Sequence, residues 1–482
     1  MWCQAKDVSI VANLLPRERF IRQVLEGLPL ADAVLSLQSY LLQPSFLDDL
    51  FERHRGSCYQ DILTFTTFVH LTVDALQKHN GSARQSLLKA QEEQRLPTTP
   101  EAFYGKLRRL PVPLSQALVV EAGMRLESLL PATVVRPLPE SLQGLNVYVV
   151  DGKKLKKAAK RLLPTRGYPG KLFGGKLLVA WRPATGLAFA MSAHLDGEKN
   201  DSPLMPALLP QVAEALPGPR LAVADRQFCD LVQIQRWRKN HDHFLLRYHP
   251  KLSFHPDPQR PAQRAQDNQG RPVIEEWGRL GAQNQPERPY VRRITLQRGG
   301  DKEDVILVTD LLDAEAYPAE DLLAVYLIRW RIECVFQQIT EVFSLKHLIA
   351  STPQGTIFQA AFCLVWYNVI QVIRSYVATG QSKPLAVEDV STEMLFIDIR
   401  EEVIALAKLV TPAEVVALIP SAWTAETITA RLRSRLTSQW RPIWRKAVNK
   451  KPRSKVTQAK QSGAHTSVQR ILEKYHRESE PD

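Results

Sequence analysis

Three carboxylates stand out by where they fall in the sequence. Asp151 closes the apolar, β-branched run "LNVYVVDG", and Asp225 closes "PRLAVADR". Runs of that kind read as buried strands. Each Asp is therefore expected at the edge of a buried sheet, where a carboxylate is costly unless a cation or hydrogen bonds compensate it. Two such ends on neighbouring strands would place two anionic groups together, an arrangement that a divalent ion stabilises. Taken singly, each Asp is equally compatible with an Asx-turn or a helix cap. Glu333 lies in the helical stretch "YLIRWRIECVFQQIT". At about 100° per residue, Tyr326, Arg329, Glu333 and Gln337 line one polar stripe. A surface Arg–Glu pair at i, i+4 would account for part of that stripe. A Tyr and an Arg beside a carboxylate also suit phosphate contact next to a metal site.

The elements around these residues describe a mixed α/β sheet. After "LNVYVVDG" come "GKLLVAWR" and "GLAFAMSAH", a hairpin about the turn from Pro183 to Gly186. "SPLMPALLPQVAEAL" reads as a helix with Asp201 or Ser202 as its cap and Pro203 in its first turn. A strand ending at Asp225, the amphipathic helix "CDLVQIQRWRKN" and the strand "HFLLRY" complete the order. Residues 249–318, rich at first in Pro, Gln, Asn, Arg and Gly, read as a β-rich insertion. A long amphipathic helix follows Pro318, and helices continue to about residue 440. Upstream, Leu28 to Pro131 carries helical spacing throughout, with stops at Asn80–Gly81 and a new start near Pro97. The expected division is a helical region over 1–140, a catalytic domain over 141–390 and a helical region with a basic tail over 391–482.

Charge points to a polyanionic partner. Lys and Arg number 63 against 50 Asp and Glu, a formal net charge of +13. Ten Lys or Arg and no acid occupy Gly152 to Arg182, directly after Asp151, with Lys153 and Lys154 foremost. Eleven more, again without an acid, occupy Arg431 to Lys460, a stretch suited to phosphates or simply to solvent. The hydrophobic share of 44% excludes a disordered chain. Five scattered Cys with no CxxC pair fit neither a disulfide framework nor a Cys-based zinc site. The N-terminus shows no signal-peptide pattern. The most apolar stretch, Ile357 to Ala378, is interrupted by Gln359, Asn368, Gln371 and Arg374, and reads as a buried helix rather than a membrane span.

"VYVVDG", "LAVADR" and "YLIRWRIE" resemble the three acidic motifs of DDE transposases of the insertion-sequence-four family. That family's third motif is Tyr, two residues, Arg, three residues, Glu, six residues, Lys. Tyr326, Arg329 and Glu333 match it, whereas Thr340 occupies the Lys position and Lys346 falls on another helix face. The 107 residues between Asp225 and Glu333 leave room for the family's β-rich insertion. The resemblance implies an RNase H-like catalytic domain that cleaves transposon ends and joins them to target DNA. It implies Mg²⁺ or Mn²⁺, with two ions held by Asp151, Asp225 and Glu333. It further implies DNA contacts from Tyr326, Arg329, Lys153, Lys154 and Trp277, the last by stacking on an unpaired base. The partners would be double-stranded DNA, as terminal inverted repeats and target, and a second copy of the chain in a synaptic homodimer. The setting would be the bacterial cytoplasm at the nucleoid, with no membrane. The alternatives are an RNase H-like nuclease without strand transfer and a transposase-derived DNA-binding protein that has lost catalysis.

Overall fold

The structure, a computed structural model, describes residues 16–479 apart from 80–81, 97–98, 133, 135–137, 157, 286, 301–302, 344–349, 412–413, 416–422 and 447–464. The stops at Asn80–Gly81 and Pro97, the N-terminal decapeptide, Lys346 and the basic run from Lys450 to Lys460 lie outside the described residues.

The expected N-terminal helices are present: α1 (Pro16–Gly27), α2 (Pro29–Leu41), α3 (Pro44–His54), α4 (Phe65–Lys78), α5 (Ala83–Glu92), α6 (Pro100–Arg109) and α7 (Val112–Glu127). Proline opens α2, α3 and α6, where its missing N–H costs nothing. The Thr64 and Ser82 side chains cap α4 and α5 by accepting from backbone N–H groups.

The α/β region follows in the expected order: β1 (Asn146–Lys154), β2 (Leu172–Phe173), β3 (Lys176–Arg182), β4 (Leu187–His194), α8 (Met205–Ala215), β5 (Arg220–Ala224), α9 (Leu231–Lys239) and β6 (Asp242–Arg247). Strands β4, β3 and β1 are antiparallel neighbours, whereas β1, β5 and β6 run parallel. Parallel neighbours need crossover helices, and α9 between β5 and β6 is one. This is the mixed sheet of an RNase H-like domain. The insertion is β-rich, with β7 (Phe254–Pro256), β8 (Gln263–Gln266), β9 (Pro272–Leu280), β10 (Tyr290–Leu296) and β11 (Val305–Thr309). These strands extend the same sheet, in the order β4-β3-β1-β5-β6-β11-β10-β9-β7 with β8 on β9.

The remaining elements are α10 (Ala319–Ile328), α11 (Trp330–Glu341), α12 (Pro353–Thr379), α13 (Thr392–Leu409), α14 (Ala425–Leu436), β12 (Thr466–Ser467) and α15 (Val468–Ser479). Helix α12 is long and apolar enough to cross a membrane, yet its apolar window is wholly buried inside the protein. Its polar side chains explain the placement. Asn368 bonds both the N–H and the carbonyl of Ala188 in β4, at 2.9 and 2.7 Å, and Tyr367 donates to the Gly186 carbonyl at 3.0 Å. Phe358 packs its ring against Phe65 and Phe68 of α4. The two terminal helical regions, expected as separate, meet each other: Arg431 and Arg435 of α14 pair with the buried Asp32 of α2, and Glu402 of α13 accepts from the N–H groups of Leu30 and Ala31.

Candidate active site

The period of a strand decides where the two Asp side chains go. On β1, Val147 and Val149 face the layer that contains α11 and α12, whereas Tyr148 and Val150 face α8 and α9. Asp151 continues the first set. On β5, Leu221 and Val223 belong to the same face, and Asp225, next in phase, follows the last strand residue. The parallel register sets Val150 opposite Ala224, so Asp151 and Asp225 stand side by side at adjacent strand ends. One expectation needs correction here. β1 does not stop at Asp151 but runs to Lys154, because Gly152 to Lys154 pair with Leu178 to Lys176 of β3. Its other neighbour, β5, has already turned away, which leaves Asp151 on the lip of a groove.

Asp151 and Asp225 each use one oxygen locally: Oδ1 accepts from the next backbone N–H, at 2.8 Å for Gly152 and 2.7 Å for Arg226. Neither bond closes an Asx-turn, which needs the N–H two residues on, whereas Asp225 does cap the short 3-10 turn that follows it. The Asp151 Oδ2 oxygen instead faces the Arg329 guanidinium at 3.5 Å. The same guanidinium reaches Glu333 Oε1 at 3.2 Å and feels the Asp225 charge. Arg329 therefore joins the third motif to Asp151. Burial works against its charge, but Tyr326, Asp225 and Asp151 outweigh burial and hold it above its ordinary value.

Expectations for the motif helix change in two respects. The stripe lies on two helices, α10 and α11, with the junction at Arg329, where the Arg329 N–H bonds Tyr326 three residues back. Tyr326 is buried, with the Arg329 guanidinium 5.7 Å from its ring centre. A side chain so enclosed supports Arg329 rather than lying open to DNA. Trp277 requires a larger correction. It is fully buried in β9, its Nε1 donates to the Leu312 carbonyl at 2.9 Å, and Arg260 covers the ring at 3.8 Å. Neither face is open to a base, so Trp277 is a core residue of the insertion. Lys153, half-buried, extends over the Phe336 ring of α11 at 5.6 Å, and Lys154 over Phe173 at 5.6 Å. Thr340 spends its hydroxyl on the Phe336 carbonyl at 2.7 Å.

The side chain of Asp201, expected as a helix cap, caps nothing. It is buried, ion-paired with the buried Lys176 of β3, and accepts from the Gln227 amide. A Cβ at residue 152 would lie 2.2 Å from its carboxylate, so only glycine fits after Asp151. Asp201 thus ties the residue after Asp151 to the turn after Asp225. The Gly following Asp151 is the sequence signal for this contact.

Burial pushes the Asp151 carboxyl up to about 6; the Gly152 N–H and Arg329 oppose the rise, and Asp201 and Glu333 add to it. A raised carboxyl pKa means that the folded state favours the neutral form. The associated stability is full below the unfolded value of 3.8 and is lost as pH rises through about 6. Asp151→Asn should therefore stabilise the metal-free protein increasingly from pH 4 to pH 6, reaching a plateau of at most about 2 kcal/mol after allowance for partial exposure. Melting curves in chelator across that range check this; a pH-independent difference would refute it.

The donor set fits a hard divalent cation in kind, since all three side chains offer only carboxylate oxygens. Among the described residues no three His, Cys, Asp or Glu side chains are spaced to share one ion, and Arg329 stands among the acids. Residues 142–369 match the family model described as "Transposase DDE domain". The chain is similar to a transposase DDE domain over that span, a little under half of its 482 residues. The matched span begins just before β1, takes in all three acids and the insertion, and ends within α12. No curated protein matches the sequence. DDE transposases in general use divalent metal ions and act on DNA.

Proposed function

We propose that this protein is a transposase that cleaves DNA at transposon ends and joins those ends to target DNA by transesterification, as in cut-and-paste transposition of the insertion-sequence-four kind. The observation that carries this reading is the pairing of Arg329 with both Asp151 and Glu333, beside the adjacent parallel strand that leads into Asp225. Asp151, Asp225 and Glu333 would hold Mg²⁺ or Mn²⁺, in all two ions. Bound there, the metal supplies activation of the attacking oxygen and stabilisation of the leaving oxygen in an in-line displacement. The chain's own groups do the positioning. Arg329, a planar fork aimed between the acids, would orient the scissile phosphate. Lys153 and Lys154 would draw the DNA backbone along the groove. Asp201 and Lys176 keep the Asp151 strand end from moving, and positioning errors of about 1 Å can cost on the order of 10²-fold in rate.

The partners on this reading are terminal inverted repeats and target duplex, with a homodimer in the synaptic complex, in the bacterial cytoplasm. A strand-transfer assay with precleaved end duplexes, plasmid target and Mg²⁺ or Mn²⁺ tests it. Joined product is expected. Cleavage without joining would make the protein a nuclease, and end binding without either would make it a catalytically inactive DNA-binding derivative.

A further inference from the structure

Beside the acids, on the far side of Glu333, lies a cavity of about 860 Å³. One wall is β1 and the loop after it, with Lys153, Lys154 and Lys156, and Lys171 adds a fourth ammonium. The opposite wall is α11, with Gln337 and Thr340. Glu341 and Glu393 also line the space, with Arg374 and Lys446 beside them, and Glu341 accepts a hydrogen bond from Gln337 at 2.9 Å. None of the four lysines forms an ion pair with a described residue. Like charges gathered in a concave wall repel one another, so an anion placed among them is favoured.

The wall that carries Lys171 is fastened from a distant part of the chain. The Lys171 N–H donates to His465 Nδ1 at 3.2 Å, and Leu172 and Phe173 pair with Thr466 and Ser467 of β12. Ser467 is buried and accepts from the Gly197 N–H at 3.0 Å, while Arg470 of α15 pairs with Asp196 and Glu198. The residues after Thr466 therefore pack onto the domain and set the position of a cavity wall, rather than forming a free tail.

We propose that this cavity is a phosphodiester-strand subsite that takes an unpaired DNA strand leading away from the cleavage point; the inference rests on the proposed function. Four ammonium groups gathered in one concave wall suit successive phosphates of one backbone, as in channels that track single strands. A sphere of about 860 Å³ is only roughly 12 Å across, no wider than the major groove of a duplex, so a whole duplex does not fit inside it. The cavity adjoins the chemistry directly: Lys153 lies two residues beyond Asp151, and Gln337 one helical turn beyond Glu333.

The test is binding of an unpaired oligonucleotide, and of the duplex of the same sequence, across a salt series, with full-length protein. The Lys154→Gln, Lys156→Gln, Lys171→Gln triple variant should flatten the log affinity against log salt line for the single strand. The slope should fall by roughly 0.7 for each phosphate no longer neutralised, about 2 in all. The duplex line should change less, and the corresponding triple Arg variant should restore the single-strand slope. If the triple Gln variant does not fold, Lys156→Gln alone, on an exposed side chain, should lower the slope by roughly 0.7. An unchanged single-strand slope, or an equal flattening for strand and duplex, overturns the subsite. A wild-type protein that performs no strand transfer, while the slope change is seen, overturns the proposed function and leaves the subsite standing.

Discussion

Asp151→Asn, Asp225→Asn and Glu333→Gln should each abolish Mg²⁺-dependent cleavage while sparing the binding of transposon ends. Each substitution is nearly isosteric and removes one anionic charge from a set of three, of which Asp151 and Glu333 pair with the Arg329 guanidinium and Asp225 acts on it through its charge. Metal-assisted stabilisation of a transferring phosphoryl group is worth several kcal/mol, so the loss should be on the order of 10³-fold or more. Affinity for DNA should persist, because it comes mainly from Lys and Arg. Single-turnover cleavage beside gel-shift binding reads both quantities. Near-wild-type cleavage by any one variant would remove that residue from the site. For Asp151 there is an internal control, since the same Asn variant should melt higher than wild type in chelator above pH 6: a dead enzyme that is more stable has not lost activity by unfolding.

Arg329→Ala should reduce cleavage on the order of 10²-fold through loss of phosphate orientation. Arg329→Lys should recover only part of this, because an ammonium keeps the charge but not the fork. Arg329 is buried against two carboxylates, so its removal also leaves buried anions uncompensated and should lower the melting temperature. The two effects separate when cleavage is measured on the folded fraction. Full activity there, with lowered stability alone, would make Arg329 a structural ion-pair residue. Tyr326→Phe should follow Arg329→Ala in direction with a smaller loss, since Tyr326 acts beneath the guanidinium.

The difference between Asp151 and Trp277 shows which kind of inference a sequence supports. Asp151 is recognisable from an apolar strand that meets an acid, and both the strand and its buried end depend on local pattern. The expectation that Trp277 touches DNA rests on its place in an insertion. Its environment depends instead on Arg260, Leu312 and the neighbouring strands, which are far apart or unpatterned in sequence. Tyr326 fails for a related reason. Its helical phase places it on the stripe of Glu333, but phase says nothing about what packs over that stripe. The C-terminal segment is similar. Its helical spacing after Thr466 is visible in the sequence, whereas its pairing with Leu172 and Phe173, nearly three hundred positions earlier, is not.

By itself the sequence determined the order of strands and helices, the strand-end placement of Asp225, the place of Asp151 on the strand before it, and the Tyr326–Arg329–Glu333 spacing, because these follow from periods of two and 3.6 residues along a continuous chain. Tertiary structure alone decided the rest. It set Asp225 beside Asp151 through the parallel register, made Arg329 the group common to the acids, and locked Asp201 against Gly152. It also fastened the segment beside Lys171, in the wall of a lysine-lined cavity, with a strand nearly three hundred positions away. Each of these joins residues distant in sequence, and its energy depends on burial and on partners that no local pattern specifies.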